Sequence, residues 1–178
     1  APYGAVQLSP DTRKGNWDAC SGYHYSDSTL MGFSHTHLSG TGCIDLGDIL
    51  FRPSLQTPLA FSHSDEKASP GYYSVNLREA GVLAELTTTP HVGIHRYTYK
   101  KGIEATLVVD MDHLLDNEYI YEGWVKQTGE NELTGMRRTR GWVDNQYVFF
   151  VAQFSQPFSS MEQPSERQAV LTFDTTTG

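Results

Sequence analysis

Glu104-Ala105-Thr106-Leu107-Val108-Val109-Asp110-Met111-Asp112 alternates in steps of two. Ala105, Leu107, Val109 and Met111 fall on one side and Thr106, Val108, Asp110 and Asp112 on the other, the period of a β-strand with one buried face. Upstream, residues 92–99 set Ile94, Arg96 and Thr98 against His95, Tyr97 and Tyr99. Downstream, residues 119–126 and 132–140 read as two strands joined through Thr128-Gly129-Glu130-Asn131. Residues 147–154 are apolar on both faces and predict a strand buried between layers. Residues 169–173 close the series. Helical periodicity is almost absent, the one helix-like stretch being 113–117. Residues 62–70 and 155–167 read as exposed loops by composition. Turn signals spaced roughly 8–14 residues apart give an all-β fold, an antiparallel β-sandwich with few or no helices.

Composition narrows the class further. The chain has 178 residues, with Lys+Arg 13 against Asp+Glu 21 and a formal net charge of −8. Hydrophobic residues at 38% and charged residues at 19% describe a globular chain rather than a disordered one. The length suits one domain, 1–178, able to bury a sizeable core. An acidic balance without Lys/Arg clusters speaks against nucleic acid and against an anionic membrane surface. No apolar run approaches the roughly 20 residues of a membrane helix. The start at Ala1-Pro2-Tyr3-Gly4 is turn-like rather than signal-like. With no initiator Met, the chain reads as a piece of a longer polypeptide.

Two clusters could carry chemistry. In residues 17–27, Trp17 and Tyr23 offer aromatic faces beside Asp18 and His24, and stacking plus short polar side chains is what a sugar ring requires. The competing reading makes these rings core or edge aromatics whose polar tips find partners. In residues 32–42, His35 and His37 are two apart, so a strand would project both from one face. That spacing permits a shared metal, but no third ligand is evident locally. Imidazoles hydrogen-bonded across an interface fit the pattern better. Cys20 and Cys43 allow one internal disulfide, worth roughly 3 kcal/mol in the chain-entropy account, or two buried thiols. Among the carboxylates no acid/base couple stands out: Asp110 and Asp112 read as solvated strand polarity, and Asp45 and Asp48 as turn formers beside Gly47. No nucleophile elbow, phosphate loop or dinucleotide fingerprint is present.

Residues 6–12 (Val-Gln-Leu-Ser-Pro-Asp-Thr), 21–25 (Ser-Gly-Tyr-His-Tyr) and 32–42 (Gly-Phe-Ser-His-Thr-His-Leu-Ser-Gly-Thr-Gly) resemble glycoside hydrolase family 92. The resemblance is tight over residues 5–53 and weaker beyond. It implies an N-terminal sandwich of the galactose mutarotase type, followed by a helical barrel outside this chain. The implied activity of the parent is that of an inverting, Ca²⁺-dependent exo-α-mannosidase, with α-1,2-linked mannose as the expected linkage. Its partners would be mannose-containing oligosaccharides or N-glycans and the C-terminal helical domain, and its place periplasmic, cell-surface or secreted in a bacterium. Catalytic carboxylates and calcium ligands would lie in the helical domain, with no catalytic or metal-ligating residue here and a fragment inactive alone. Trp17, Asp18, Tyr23 and His24 would contact substrate, while His35, His37, Ser39, Gly40 and Thr41 would lie at the domain interface. A free-standing carbohydrate-binding module, with an aromatic platform of its own, is the alternative. On the two-domain reading, Phe33, Leu38 and both histidines lose a partner surface in the isolated sandwich, which predicts higher mobility at 17–42 than in 92–112 or 147–154.

Overall fold

The structure, a computed structural model, describes residues 4–38, 43–116 and 118–175. In chain order the strands are β1 Ser9–Asp11, β2 Thr29–Leu30, β3 Gly32–Ser34, β4 Leu50–Arg52, β5 Leu59–Ala60, β6 Glu66–Ser69, β7 Tyr72–Leu77 and β8 Val82–Thr88. They continue as β9 Gly93–Tyr99, β10 Ala105–Asp110, β11 Tyr119–Gly129, β12 Glu132–Arg140, β13 Gln146–Gln153, β14 Ser160–Ser165 and β15 Gln168–Phe173. Helical structure among the described residues is confined to single 3-10 turns at Trp17–Ala19 and His63–Asp65.

A six-stranded sheet, ordered β1-β3-β4-β10-β15-β14, forms one layer. Its registers place Phe33 beside Phe51, Phe51 beside Val109, and Leu107 and Val109 beside Leu171 and Ala169, so these six share one face. Against that face the sheet β6-β7-β8-β9 packs on Phe33, with Val75, Leu77, Val82, Ala84 and Leu86. The sheet β11-β12-β13 packs beside it on Phe51, Leu107, Val109 and Leu171, through Val125 and Leu133. Tyr97 touches both clusters and joins the two halves. The short pair β2-β5 adds Leu30 and Leu59 to the first half. The antiparallel sandwich expected from alternation is therefore the architecture found.

Local chemistry explains the turns. Ser69 pairs with Tyr72 across Pro70-Gly71, and Gly71 takes φ +80°, the conformation that the third position of a type II turn demands. β9 alternates as expected, with Ile94, Arg96 and Thr98 out and His95, Tyr97 and Tyr99 turned inward.

Several expectations need correction. β10 is buried on both faces rather than one, because it lies centrally between β4 and β15. The two-faced apolar run at 147–154 is not buried between layers: β13 is an edge strand, and Tyr147, Phe149 and Val151 are 53%, 70% and 66% exposed. The sequence 62–70 contains β6, and 155–167 contains β14, both exposed edge strands whose composition mimics loop. No helix forms at the described residues 113–116.

Candidate functional site

The loops on either side of β1 and β3 gather around a buried carboxylate. Asp11, at the end of β1, is fully buried. Its Oδ1 accepts from His37 Nε2 at 2.7 Å and its Oδ2 from His113 Nε2 at 2.7 Å. His37 Nδ1 faces the Gln7 carbonyl at 2.7 Å. Both ring nitrogens of His37 thus point at acceptors, which requires an imidazolium. Burial works against that charge more than any one partner favours it, but the Asp11 hydrogen bond and charge, with the Gln7 carbonyl, together outweigh it and raise the His37 pKa. Burial likewise opposes ionisation of Asp11, yet hydrogen bonds from His113 and His37 hold it well below the usual carboxylate range. Ser34 Oγ lies 3.0 Å from the same Nε2. A nucleophilic triad needs serine and carboxylate on opposite ring nitrogens, so this is a buried ion pair and not a hydrolytic centre.

Above it sits the loop that carries Trp17. Gly22 crosses directly over the pair at φ +75°, where an added Cβ would stand 2.0 Å from Asp11 Oδ1 and 2.6 Å from His37 Nε2. Gly22 also closes onto β1, donating to Ala19 O while its carbonyl accepts from Thr12 N. Arg13 braces the far side through Nε to Asp27 Oδ2 at 2.8 Å and a second contact to Oδ1. Thr12 Oγ1 donates to Asp27 Oδ2 at 2.7 Å and receives His24 N. The Arg13 hydrogen bond lowers the Asp27 pKa to about 2. Asn16 caps the 3-10 turn by accepting from Asp18 N. The result is Trp17 at 71% exposure on a turn held from three sides. Asp18 is exposed and 3.6 Å from Arg13. Tyr23 instead packs toward the core with its hydroxyl on Glu66, and burial first, then Glu66, pushes its pKa up to about 12. His24 Nδ1 accepts from Ser26.

His35 and His37 do not share a strand face, because β3 ends at Ser34 and the chain bends at His35. His35 Nδ1 donates to Ile49 O at 2.6 Å, which leaves Nε2 to accept from His95 Nε2 at 3.0 Å. His95 Nδ1 in turn accepts from Tyr97 at 2.8 Å. Burial lowers the pKa of both, and this chain of bonds needs both neutral. His35, His37 and Phe33 each find partners within the sandwich, while Trp17 and Tyr25 of the same stretch are both 71% exposed.

The segment 45–49 ties these networks to the other half. Asp48, expected as a turn former, is wholly buried and accepts from Arg137 Nε at 2.8 Å, Thr36 Oγ1 at 2.6 Å and Gln146 Nε2 at 2.9 Å. Leu46 and Ile49 hold φ of +75° and +60°, costly for side-chain-bearing residues, and the surrounding bonds over-determine them. Asp45 does form the turn, accepting from Leu46 N, and also accepts from Trp142 N. Glu118 Oε1 is buried without a donor, and its carboxyl meets that of Asp45. Burial first, and then Asp45, raise the Glu118 pKa to about 7. The two residues line a shallow concavity of about 340 Å³ beside Cys43 and Trp142, the latter 72% exposed. A larger concavity of about 410 Å³, between 6–8 and β6–β8, holds none of these groups.

Ser39, Gly40 and Thr41 lie outside the described residues. Cys20 and Cys43 are not joined by a disulfide, and Cys20 donates to Trp17 O. Among the described residues no group of three or more His, Cys, Asp or Glu could hold a metal ion. Sequence reading missed Asp11, His113, Glu118 and Trp142, whose partners are up to 102 residues away.

A two-layer antiparallel sandwich of this kind is of the class found in glycoside hydrolase N-terminal domains. The chain belongs to the glycosyl hydrolase family 92 N-terminal domain, whose family model matches residues 1–177. A family GH92 α-mannosidase from Bacteroides thetaiotaomicron, solved with mannoimidazole, is 33% identical at a TM-score of 0.87, covering 97% of this chain and 27% of that one. A family GH92 inverting mannosidase from the same organism is 21% identical at 0.75, over 99% of this chain and 26% of that one, which bears on the fold alone. An uncharacterized secreted glycosidase from Arthroderma benhamiae is 26% identical over 65% of this chain and 17% of that protein. The chain thus spans about a quarter or less of these relatives. No helix among the described residues is long and apolar enough to cross a membrane.

Proposed function

We propose that this chain is the N-terminal sandwich of a longer, secreted or periplasmic exo-α-mannosidase that inverts configuration, depends on Ca²⁺ and prefers α-1,2-linked mannose in oligosaccharides or N-glycans. Its part is to present Trp17 and Asp18 to the sugar, with the catalytic carboxylates and calcium ligands supplied from the helical domain of the same polypeptide. The observation that carries the reading is the brace beneath Trp17: Arg13, Asp27 and Gly22 fix an exposed indole in place, as a sugar-stacking group must be fixed. Family membership and the mannoimidazole-bound relative support mannose as the sugar.

The test is hydrolysis by the purified parent against α-1,2-, α-1,3- and α-1,6-linked mannobiose, before and after chelation. Calcium-restored release from the α-1,2 substrate, with product anomer opposite to substrate and none from the 178-residue chain, is expected. Chelation without effect removes the metal, and release by the 178-residue chain alone removes the division of labour.

A further inference from the structure

Among the described residues, the outer face of the sheet β11-β12-β13 gathers a broad exposed apolar surface. The register sets Tyr147 beside Arg138, Phe149 beside Met136, Val151 beside Thr134, and Trp124 beside Met136, all on the side away from Val125 and Leu133. Tyr147 and Phe149 stack with planes 7° apart, and Tyr119 meets Tyr121 edge-on at 5.0 Å. Arg138 bridges the two groups, its guanidinium 4.7 Å from the Tyr121 ring and 5.4 Å from that of Tyr147. Tyr119, Tyr121, Tyr147, Phe149 and Val151 are each 43–70% exposed. Aromatic side chains carry on the order of 150–250 Å² each, so the face rivals or exceeds the 300–600 Å² patch that is the largest on an ordinary monomer. Among the described strands β13 also has one edge unpaired.

We propose that this face is the seat of the polypeptide that follows residue 178 in the parent, so that the downstream domain docks on Tyr147, Phe149 and Val151. The inference rests on the reading of the chain as the leading part of a longer enzyme. Two observations select this occupant over a second copy. The relatives carry about three quarters of their length outside the matched region. The chain also leaves β15 beside this sheet: Phe173 packs on Phe154, one residue past β13, at 5.5 Å, and Asp174 O accepts from Gln156. A segment tethered there meets the face at high effective concentration and needs little intrinsic affinity. The partner surface is apolar, with room for the Arg138 guanidinium, which here lies over aromatic rings and donates to Asn145 beside Glu122 of the neighbouring strand.

Hydroxyl-radical footprinting of the intact parent, read by mass spectrometry, tests this with two residues of equal intrinsic reactivity. Tyr147 is more exposed than Tyr72 in this structure, 53% against 40%. In the parent the order should reverse, with Tyr147 oxidised slower than Tyr72 by an order of magnitude or more. Phe149→Lys in the parent should raise the Tyr147 rate toward that of Tyr72. Rapid oxidation of Tyr147 in a monomeric parent that still releases mannose overturns the docking face and leaves the enzyme reading standing. Protection that is lost on dilution across a dimer–monomer transition assigns the face to a second copy and also overturns it. Protection in a monomeric parent without mannosidase activity upholds the docking face and sinks the activity.

Discussion

His35 and His37 are two residues apart and titrate in opposite directions, because their partners differ and not their burial. His37 faces two acceptors and is driven toward the cation, while His35 must accept from His95 and stay neutral. Imidazole in an unfolded chain titrates near 6.5. A raised folded pKa at His37 gives stability that is full below about 6.5 and is lost as pH rises through the folded value. Lowered folded values at His35 and His95 give stability that is full above about 6.5 and is lost as pH falls. At pH 6.5, ring ¹⁵N shifts should therefore show His37 protonated on both nitrogens, His35 carrying its proton on Nδ1, and His95 on Nε2. A neutral His37 at that pH would refute the ion pair. Gly22→Ala should cost at least about 2–3 kcal/mol in chemical denaturation, since it drives a methyl into that pair from a left-handed backbone.

At the scale of elements, the loop 12–27 is rigid below and bare above, and the two properties separate by mutation. Trp17→Ala in the parent should lower kcat/KM by about 1–3 kcal/mol with an unchanged melting temperature, because the indole is mostly exposed. An unchanged kcat/KM would take Trp17 out of the site. Asp48→Asn leaves Arg137 buried beside a neutral amide and should destabilise by about 3–5 kcal/mol, measured by thermal unfolding. How much of this was legible depended on range. The hairpin β11-β12 and the alternation of β9 were readable because their partners are local in sequence. β13 misled because its outward aromatics look like core when nothing shows which face is covered. β6 and β14 were hidden because exposed edge strands share the polar composition of loops. Of the site, Trp17 was visible as a residue, but its support was not: the Asp27 brace and the Asp11 pair are built from contacts that only folding creates.

Taken as a whole molecule, two packed halves share one six-stranded sheet, and protection should follow that sheet. Amide hydrogen exchange should be slowest in β10 and β15, followed by β3 and β4, and residues 32–37 should be among the protected segments rather than the mobile ones. Rapid exchange in β10 would contradict its central position. The same sheet imposes an order on assembly. The meanders β6–β9 and β11–β13 pair only with sequence neighbours, while β10 waits for β15, with Asp110 and its partner Gln168 separated by 58 residues. At about 5–20 residues per second of translation, that wait lasts roughly 3–12 s. For those seconds the nascent chain shows the ribosome's surroundings a β edge bearing Val108 and Val109, with one side already paired to β4 and the other open. A chaperone that grips apolar strands would find its target there, between the emergence of β10 and that of β15, and would be released when Ala169 and Leu171 arrive.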